Sequence, residues 1–415
     1  MRAAERLGSA ALLLLAALPL VMAVANRSAP LLTVLAALLS VAGRAMSGQL
    51  THVARDIRRR LATPLGIACL AFCLWGVISL AWSQHRGLSA HALGELAISA
   101  AAPLALAASL PRAIPRSVVV AAASLMAAGC ASILVELATG SAVRAFLGFR
   151  SEYFIFKRSA TAILIVFWPL AALLWLAGRR LAATAVGAAL AAAILWAHAA
   201  AGALGLVVGL ACLGLAWLSR RAATWALGAA LLASLALAPI TGDLAARALG
   251  DPVLDRLHEM QARDRILIWQ SFGEVVRRRT LAGTGFGTSA ALGRNSVADE
   301  VPADRREMLA VGHPHNGYLQ IWTETGLVGA ALAALAIVLL LRGIARLPRV
   351  QGCAALAVAG CAGVIMLVAH GAWQGWWIAT LGAAAVWTVR LPAGAPGLQS
   401  AGSFKDPPRK PVAST

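Results

Sequence analysis

Two imidazoles, a carboxamide and a carboxylate crowd the start of one apolar run. His313, His315 and Asn316 precede it, and Glu324 lies within it. A neutral imidazole at a membrane–water boundary can take a proton from a hydroxyl, which makes His315 the candidate general base. Acids inside an apolar run are costly and point to function by default, which marks Glu324. His313 and His315 as a metal pair would sit two residues apart across Pro314, with no cysteine near and no His-Glu-x-x-His pattern, so no metal is expected. Upstream, residues 251–279 read as a helix that projects Arg263 and Arg265, and Gly283-Thr284-Gly285-Phe286-Gly287 then breaks it. Alternating glycines can turn backbone N–H groups toward an anion; a plain turn between helices is the simpler account.

The solvent around these residues follows from composition. Of 415 residues, 60% are hydrophobic and 13% charged, whereas a soluble domain carries about 25% charged residues. Apolar runs recur along most of the chain, near 8–25, 31–41, 64–82, 88–110, 118–138, 160–177, up to 198, 203–218, 222–240, 318–341, 354–369 and 375–389. Most approach the length of a membrane-crossing helix. The reading is an all-α polytopic membrane protein with about twelve spans and one large, partly helical loop. Residues 1–240 hold nine spans, 241–317 the loop, 318–390 three more spans, and 391–415 a Pro-, Gly-, Ser- and Lys-bearing tail expected to be disordered. The basic N-terminus followed by an apolar run has the outline of a signal peptide, but a second run follows at once, and the first is read as an uncleaved helix.

Twelve spans put both termini on one side. The basic loops after the second, fourth, sixth, eighth and tenth spans share that side, which the positive-inside rule assigns to the cytoplasm. The net charge of +19 is therefore topological, and its spread over many loops excludes a nucleic-acid partner. The loop at 241–316 falls on the opposite face with ten of the seventeen acidic residues and a similar number of arginines. Its near-neutral composition suits a small folded element on the membrane surface. The six cysteines all lie in apolar runs, so neither a disulfide framework nor a zinc site is expected.

His315-Asn316, nine residues, Gly326, two residues and Gly329 resemble a signature of the O-antigen ligase and polymerase superfamily of bacterial envelope enzymes. Arg265-Ile266-Leu267-Ile268-Trp269 and the glycine turn at 283–287 are similar to that family's Arg-x-x-x-Trp and Gly-x-Gly segments, in the same order. His370-Gly371-Ala372-Trp373-Gln374-Gly375-Trp376-Trp377 is similar to one of its outer turns. The resemblance implies glycan transfer from undecaprenyl diphosphate to a sugar hydroxyl, on lipid A-core for a ligase or on another repeat unit for a polymerase. It implies an inverting, cofactor-free reaction at the periplasmic face of the inner membrane. His315 would be the base, His313 and Asn316 would orient it with Glu324 in support, and Arg265 with Arg263 would hold the diphosphate, a task that suits guanidinium geometry.

Where the family often carries Ser-Arg at the start of the eighth span, this chain has His198-Ala199-Ala200-Ala201-Gly202. Arg158, or Arg150, is the candidate replacement, and a headgroup-facing role for Arg158 is an even alternative. A transporter or lipid-linked sugar flippase is the alternative of another class, weakened by the few charges inside the spans, chiefly Glu95, Glu136 and Glu324.

Overall fold

The structure, a computed structural model, describes residues 2–111, 113–152, 154–249 and 262–392. In chain order the helices are α1 (Arg2–Val24), α2 (Ala29–Met46), α3 (Leu50–Leu61), α4 (Pro64–Ile78), α5 (Arg86–Ser109), α6 (Arg116–Ala138), α7 (Ala142–Phe146), α8 (Phe154–Leu176) and α9 (Arg180–Trp196). They continue as α10 (Ala200–Leu218), α11 (Arg220–Leu237), α12 (Thr241–Ala248), α13 (Ala262–Arg278), α14 (Ala303–Arg306), α15 (Gly317–Ala345), α16 (Arg349–Val368) and α17 (Gly375–Arg390). Short 3-10 turns join several of them, and no strand occurs among the described residues.

Ten helices are long and apolar enough to cross a membrane, with the extension of α11 through α12 counted as one; α9 is a shorter apolar helix of 17 residues. With α17 these are the twelve elements expected from the apolar runs, and the chain is an all-α polytopic membrane protein. Residues 251–261 of the expected loop helix and 393–415 of the expected tail lie outside the described residues.

Helix ends follow local chemistry. Thr63 caps α4 by accepting from Gly66 N at 3.1 Å, with Pro64 at the first helical position where no N–H is needed. Ser219 caps α11 through Ala222 N at 3.2 Å. The most enclosed span is α8, whose buried Ile163, Leu164, Ile165 and Val166 sit in the main apolar cluster with α1, α2, α5, α6, α9, α16 and α17. Small residues let neighbours approach where lipid offers no hydrophobic drive: Gly205 of α10 faces Ile365 of α16, and Gly360 of α16 faces Cys212 of α10.

A second cluster lies under the loop. Phe272, Val275 and Val276 of α13, with Leu292, Val297 and Leu309 from the 3-10 turns, close over Tyr318 and Leu319 at the start of α15. The loop is thus docked by its own apolar side chains on the end of the bundle that carries the histidines.

Three boundaries differ from the sequence reading. The basic segment after α2 contains a helix, α3, whose Leu50, Val53, Ile57 and Leu61 form one stripe at helical spacing opposite Arg55 and Arg59. Helix α8 begins at Phe154, so Arg158 sits inside its second turn. Helix α15 is broken: Gly326 has φ 63° and ψ −161° within it.

The break is built from two strands of peptide groups. Thr284 N donates to Thr323 O at 2.9 Å, Gly285 N to Glu324 O at 3.0 Å, and Leu327 N to Thr280 O at 2.8 Å. Trp75 Nε1 of α4 donates to Thr325 O at 2.9 Å. The glycine turn therefore replaces the helical partners that the break removes, as an apolar surrounding demands. Gly326 has no substitute there, because its φ disfavours any side chain and a Cβ would run into Leu281 O. Gly326→Ala is expected to destabilise the protein by about 3 kcal/mol or more, read as a lower melting temperature in detergent, while Gly343→Ala, at a position with open space, leaves it unchanged.

Candidate active site

Helix α15 begins with Asn316, whose Oδ1 accepts from Tyr318 N at 3.0 Å and Leu319 N at 3.1 Å. This side-chain cap fixes where the helix starts and hence where the preceding residues emerge. His315, immediately before the cap, has φ 51°, a left-handed backbone that a histidine adopts only when its surroundings hold it. Its neighbours do so from two sides. Trp269 Nε1 of α13 donates to Pro314 O at 2.9 Å. His315 N donates to His313 Nδ1 at 3.1 Å, and the two rings lie against each other, tilted by 50°, with centroids 4.0 Å apart.

These contacts set the tautomers. His315 Nδ1 lies 3.4 Å from Ala369 O, and a carbonyl only accepts, so the proton sits on Nδ1 and Nε2 carries the lone pair. His313 is the reverse: its Nδ1 accepts from His315 N, leaving Nε2–H as a donor. Arg265 Nη1 donates to Val368 O at 2.7 Å, one residue from the carbonyl that holds His315. The Arg265/Trp269 pair, four residues apart on one face of α13, therefore holds both the residue before His315 and the end of α16 that the His315 ring meets.

A third imidazole, His370, joins the group, with its ring against Trp376 at 4.9 Å and Trp377 at 5.4 Å. Its Nε2 is buried without a hydrogen-bond partner among the described residues. Burial pushes His370 down to about 3, reinforced by Arg158, the other two histidines and Arg265. Burial, then His315 and Arg158, pushes His313 down to about 4. His315 is also lowered, by burial first and by Arg265, against the opposing bond to Ala369. All three rings are thus neutral at pH 7 between two guanidinium groups, Arg158 on the His313 side and Arg265 on the His315 side.

A cavity of about 360 Å³ opens beside them. Arg27, Arg158, His313, Glu324, Trp373 and Trp376 are among its lining residues. Arg158 lies over the Trp376 ring at 5.3 Å, and its buried Nε has no hydrogen-bond partner among the described residues. Arg27, from the turn between α1 and α2, is exposed and also lines the cavity, close enough to Arg158 for the two charges to repel. The cavity thus offers two arginines, the imidazoles of His91 and His313, and indole faces. Its two carboxylates, Glu95 and Glu324, accept hydrogen bonds from the protein, and the arginines suit an anionic group with a sugar attached.

Glu324 is fully buried at the floor. Its Oε2 accepts from Gly287 N and Trp373 Nε1, both at 2.6 Å. Its Oε1 accepts from Gln320 Nε2 at 2.8 Å and Ser289 N at 3.2 Å. Of the N–H groups that the glycine turn could have aimed at an external anion, Gly287 N is aimed at this carboxylate, and those of Gly283, Thr284, Gly285 and Phe286 bond carbonyls or the Ser79 hydroxyl. Gln320 passes the link on, since its Oε1 accepts from Ala372 N at 2.8 Å.

The residues singled out from the sequence separate in space. His313, Arg158 and Glu324 line the cavity; His315 and Arg265 stand beside it around the shared histidine cluster. Arg263 is exposed on α13 and is not part of the cavity wall. Asn316 is a helix cap. Arg150 pairs at the surface with Glu152, and His198, where the family's Ser-Arg would fall, is exposed with φ 45°. Arg27 was not expected; its only sequence signal is a charge in a tight turn on the loop side. His370 was legible only as part of a similar outer turn. Among the described residues no group of three His, Cys, Asp or Glu is arranged to hold a metal ion, and the cysteines are unpaired.

Ten or more apolar spans, a loop docked on one end and a neutral histidine set between arginines define a membrane-embedded protein with a polar site at one face. The O-antigen ligase family model matches residues 185–334. That stretch, which holds the loop, the arginine helix and the histidine motif, is thus similar to the O-antigen ligase family. No curated protein matches the chain.

Glu324→Gln tests the floor. Whichever way the amide turns, its NH₂ meets two N–H donors, so two charge-assisted bonds are lost. The expected cost is about 3 kcal/mol or more, read as a fall in melting temperature in detergent; an unchanged melt would mean that these four bonds do not hold the site together.

Proposed function

We propose that the chain transfers a glycan from undecaprenyl diphosphate to a sugar hydroxyl at the periplasmic face of the bacterial inner membrane, with lipid A-core as the acceptor of a ligase. The observation that carries the chemistry is the tautomer of His315: Nδ1–H faces Ala369 O, so Nε2 is bare and can accept a proton. The family match supports ligase- or polymerase-like transfer. The positive-inside rule supports the side, since the site lies on the end away from the basic turns.

In this scheme the diphosphate lies in the cavity between Arg158 and Arg27, with His313 Nε2–H donating to it. Arg265 adds positive potential and holds the backbone against which His315 is oriented, while exposed Arg263 contributes charge at the approach. The acceptor oxygen attacks the anomeric carbon in line with the departing diphosphate. One C–O bond forms, the C–O bond to the diphosphate breaks, and the hydroxyl proton passes to His315 Nε2. The bonding electrons leave with the diphosphate, whose charge the arginines stabilise. The anomeric configuration inverts, and His315 returns its proton to water. Asn316 acts through the helix cap and Glu324 through the floor; neither touches the reacting atoms.

The polymerase reading uses the same site with a repeat unit as acceptor. Full-length glycan accumulating on the carrier in a deletion strain favours the ligase, and single repeat units favour the polymerase. The transporter alternative loses the support that a broken helix would lend it, because the peptide groups freed at Gly326 are bonded within the protein.

His315→Ala is expected to slow transfer by about 100- to 10,000-fold in a reconstituted assay while the melting temperature is kept. The acid limb of the rate profile should lie below the ordinary histidine value, because the folded site lowers His315. Arg265→Gln removes one of the groups that lower it, so it should move that limb upward as well as slow the reaction. Full activity from both variants, or substrate uptake into sealed vesicles without covalent transfer, would overturn the proposal.

A further inference from the structure

The far end of the bundle carries a second polar cavity, of about 450 Å³, that the transfer chemistry does not use. Arg44 of α2, Arg55, Arg59 and Arg60 of α3, and Arg390 of α17 line it, with Asp56 as the single acid. Topology alone accounts for basic residues on this side. It does not account for five guanidinium groups from three separate elements converging on one cavity.

Two kinds of arginine meet there. Arg44, Arg60 and Arg390 are anchors on the last turn of α5. Arg44 Nε donates to Ser109 O at 2.6 Å, Arg60 Nη2 to Ala107 O at 3.2 Å and Arg390 Nη2 to Ala107 O at 2.8 Å. They satisfy carbonyls that a helix end leaves open and complement its dipole. Arg60 also pairs with Asp56, which takes up the only opposing charge. Arg55 and Arg59 are different: both are exposed, and neither makes a hydrogen bond or ion pair to any described residue.

Helix α3 carries the second clue. Its apolar stripe buries Val53 and leaves Ile57 and Leu61 half-buried, while Arg55, Arg58 and Arg59 face away. A short amphipathic helix between two spans, with apolar residues on one side and arginines on the other, lies in the headgroup layer. The cavity it walls opens at that depth.

We infer that the cavity among α2, α3, α5 and α17 binds the phosphate-bearing headgroup of an anionic glycerophospholipid at the membrane surface opposite the histidine site. Arg55 and Arg59 are the groups that take the phosphate, and the three anchored arginines supply a preorganised positive field behind them. A soluble phosphate would find the same charges, but the interfacial position of α3 favours an anion that arrives with acyl chains. The inference does not depend on the glycosyl transfer, so the two fail separately.

The test uses the purified full-length protein in detergent, stripped of lipid and titrated with short-chain phosphatidylglycerol, short-chain phosphatidylethanolamine or inorganic phosphate. Binding is read by native mass spectrometry and by melting temperature. Phosphatidylglycerol is expected to bind and to raise the melting temperature, with the other two weaker by at least tenfold. The double variant Arg55→Gln/Arg59→Gln, which removes no structural bond, should weaken phosphatidylglycerol by about 25-fold, some fivefold for each charge. Arg27→Gln, in the opposite cavity, should leave that binding unchanged. Equal binding of phosphatidylethanolamine, equal binding of inorganic phosphate, or an effect of Arg27→Gln in place of the Arg55/Arg59 pair would each overturn the inference.

Discussion

The arrangement of the histidine face depends on one buried carboxylate. Glu324 receives a backbone N–H from Gly287 of the glycine turn and another from Ser289 just after it, an indole N–H from the turn before α17 and a carboxamide from its own helix. An acid in this position is costly unless every lone pair is used. Here its demand for donors draws three distant segments together, so the cost of burying it becomes the constraint that closes the site. The other two acids within the spans work in the same way on a smaller scale. Glu95 accepts from Gly375 N at 2.8 Å, and Glu136 from Arg144 N at 3.4 Å. Each ties a turn on the loop side to a helix.

The break in α15 is the complement of this arrangement. A continuous helix would leave the glycine turn with no peptide groups to bond, and an unsupported break would leave buried carbonyls unpaired. Together, the Gly326 backbone and the turn at 280–285 satisfy each other. The histidine-bearing end of α15 is then a short, capped segment bonded to the loop and set off from the longer apolar part by the break. This separation lets His315 hold a left-handed backbone: Trp269, Ala369 and the Asn316 cap all bear on it from elements that are themselves locked.

Electrostatics divides the molecule by end. On the loop side, arginines stand beside neutral imidazoles, so positive charge faces the cavity while burial keeps the rings unprotonated. On the opposite side, arginines brace a helix terminus and leave two guanidinium groups outward. The same residue type braces the fold where it meets carbonyls and stays available to a ligand where it does not, and only the hydrogen-bond partners tell the two apart.

What the sequence determined by itself was solvent and order. Apolar runs of membrane-crossing length marked the all-helical polytopic class, because in lipid backbone groups must be bonded inside the protein and a helix does this within one segment. The spacing of His315, Asn316, Gly326 and Gly329 marked the reactive stretch, and Arg265 with Trp269 fell on one helical face because 3.6 residues make a turn. Helix α3 was obscured by its charge, since an interfacial helix has too few apolar residues to register as a span. Only the tertiary structure decided which charges meet. Arg27 lies 131 residues before Arg158 in the chain and shares its cavity, and His370 reaches the other histidines from another helix turn. The glycine turn found its anion in Glu324. Contacts of that kind depend on how the spans pack, and in lipid the packing is set by small residues and buried polar bonds, whose partners no local pattern names.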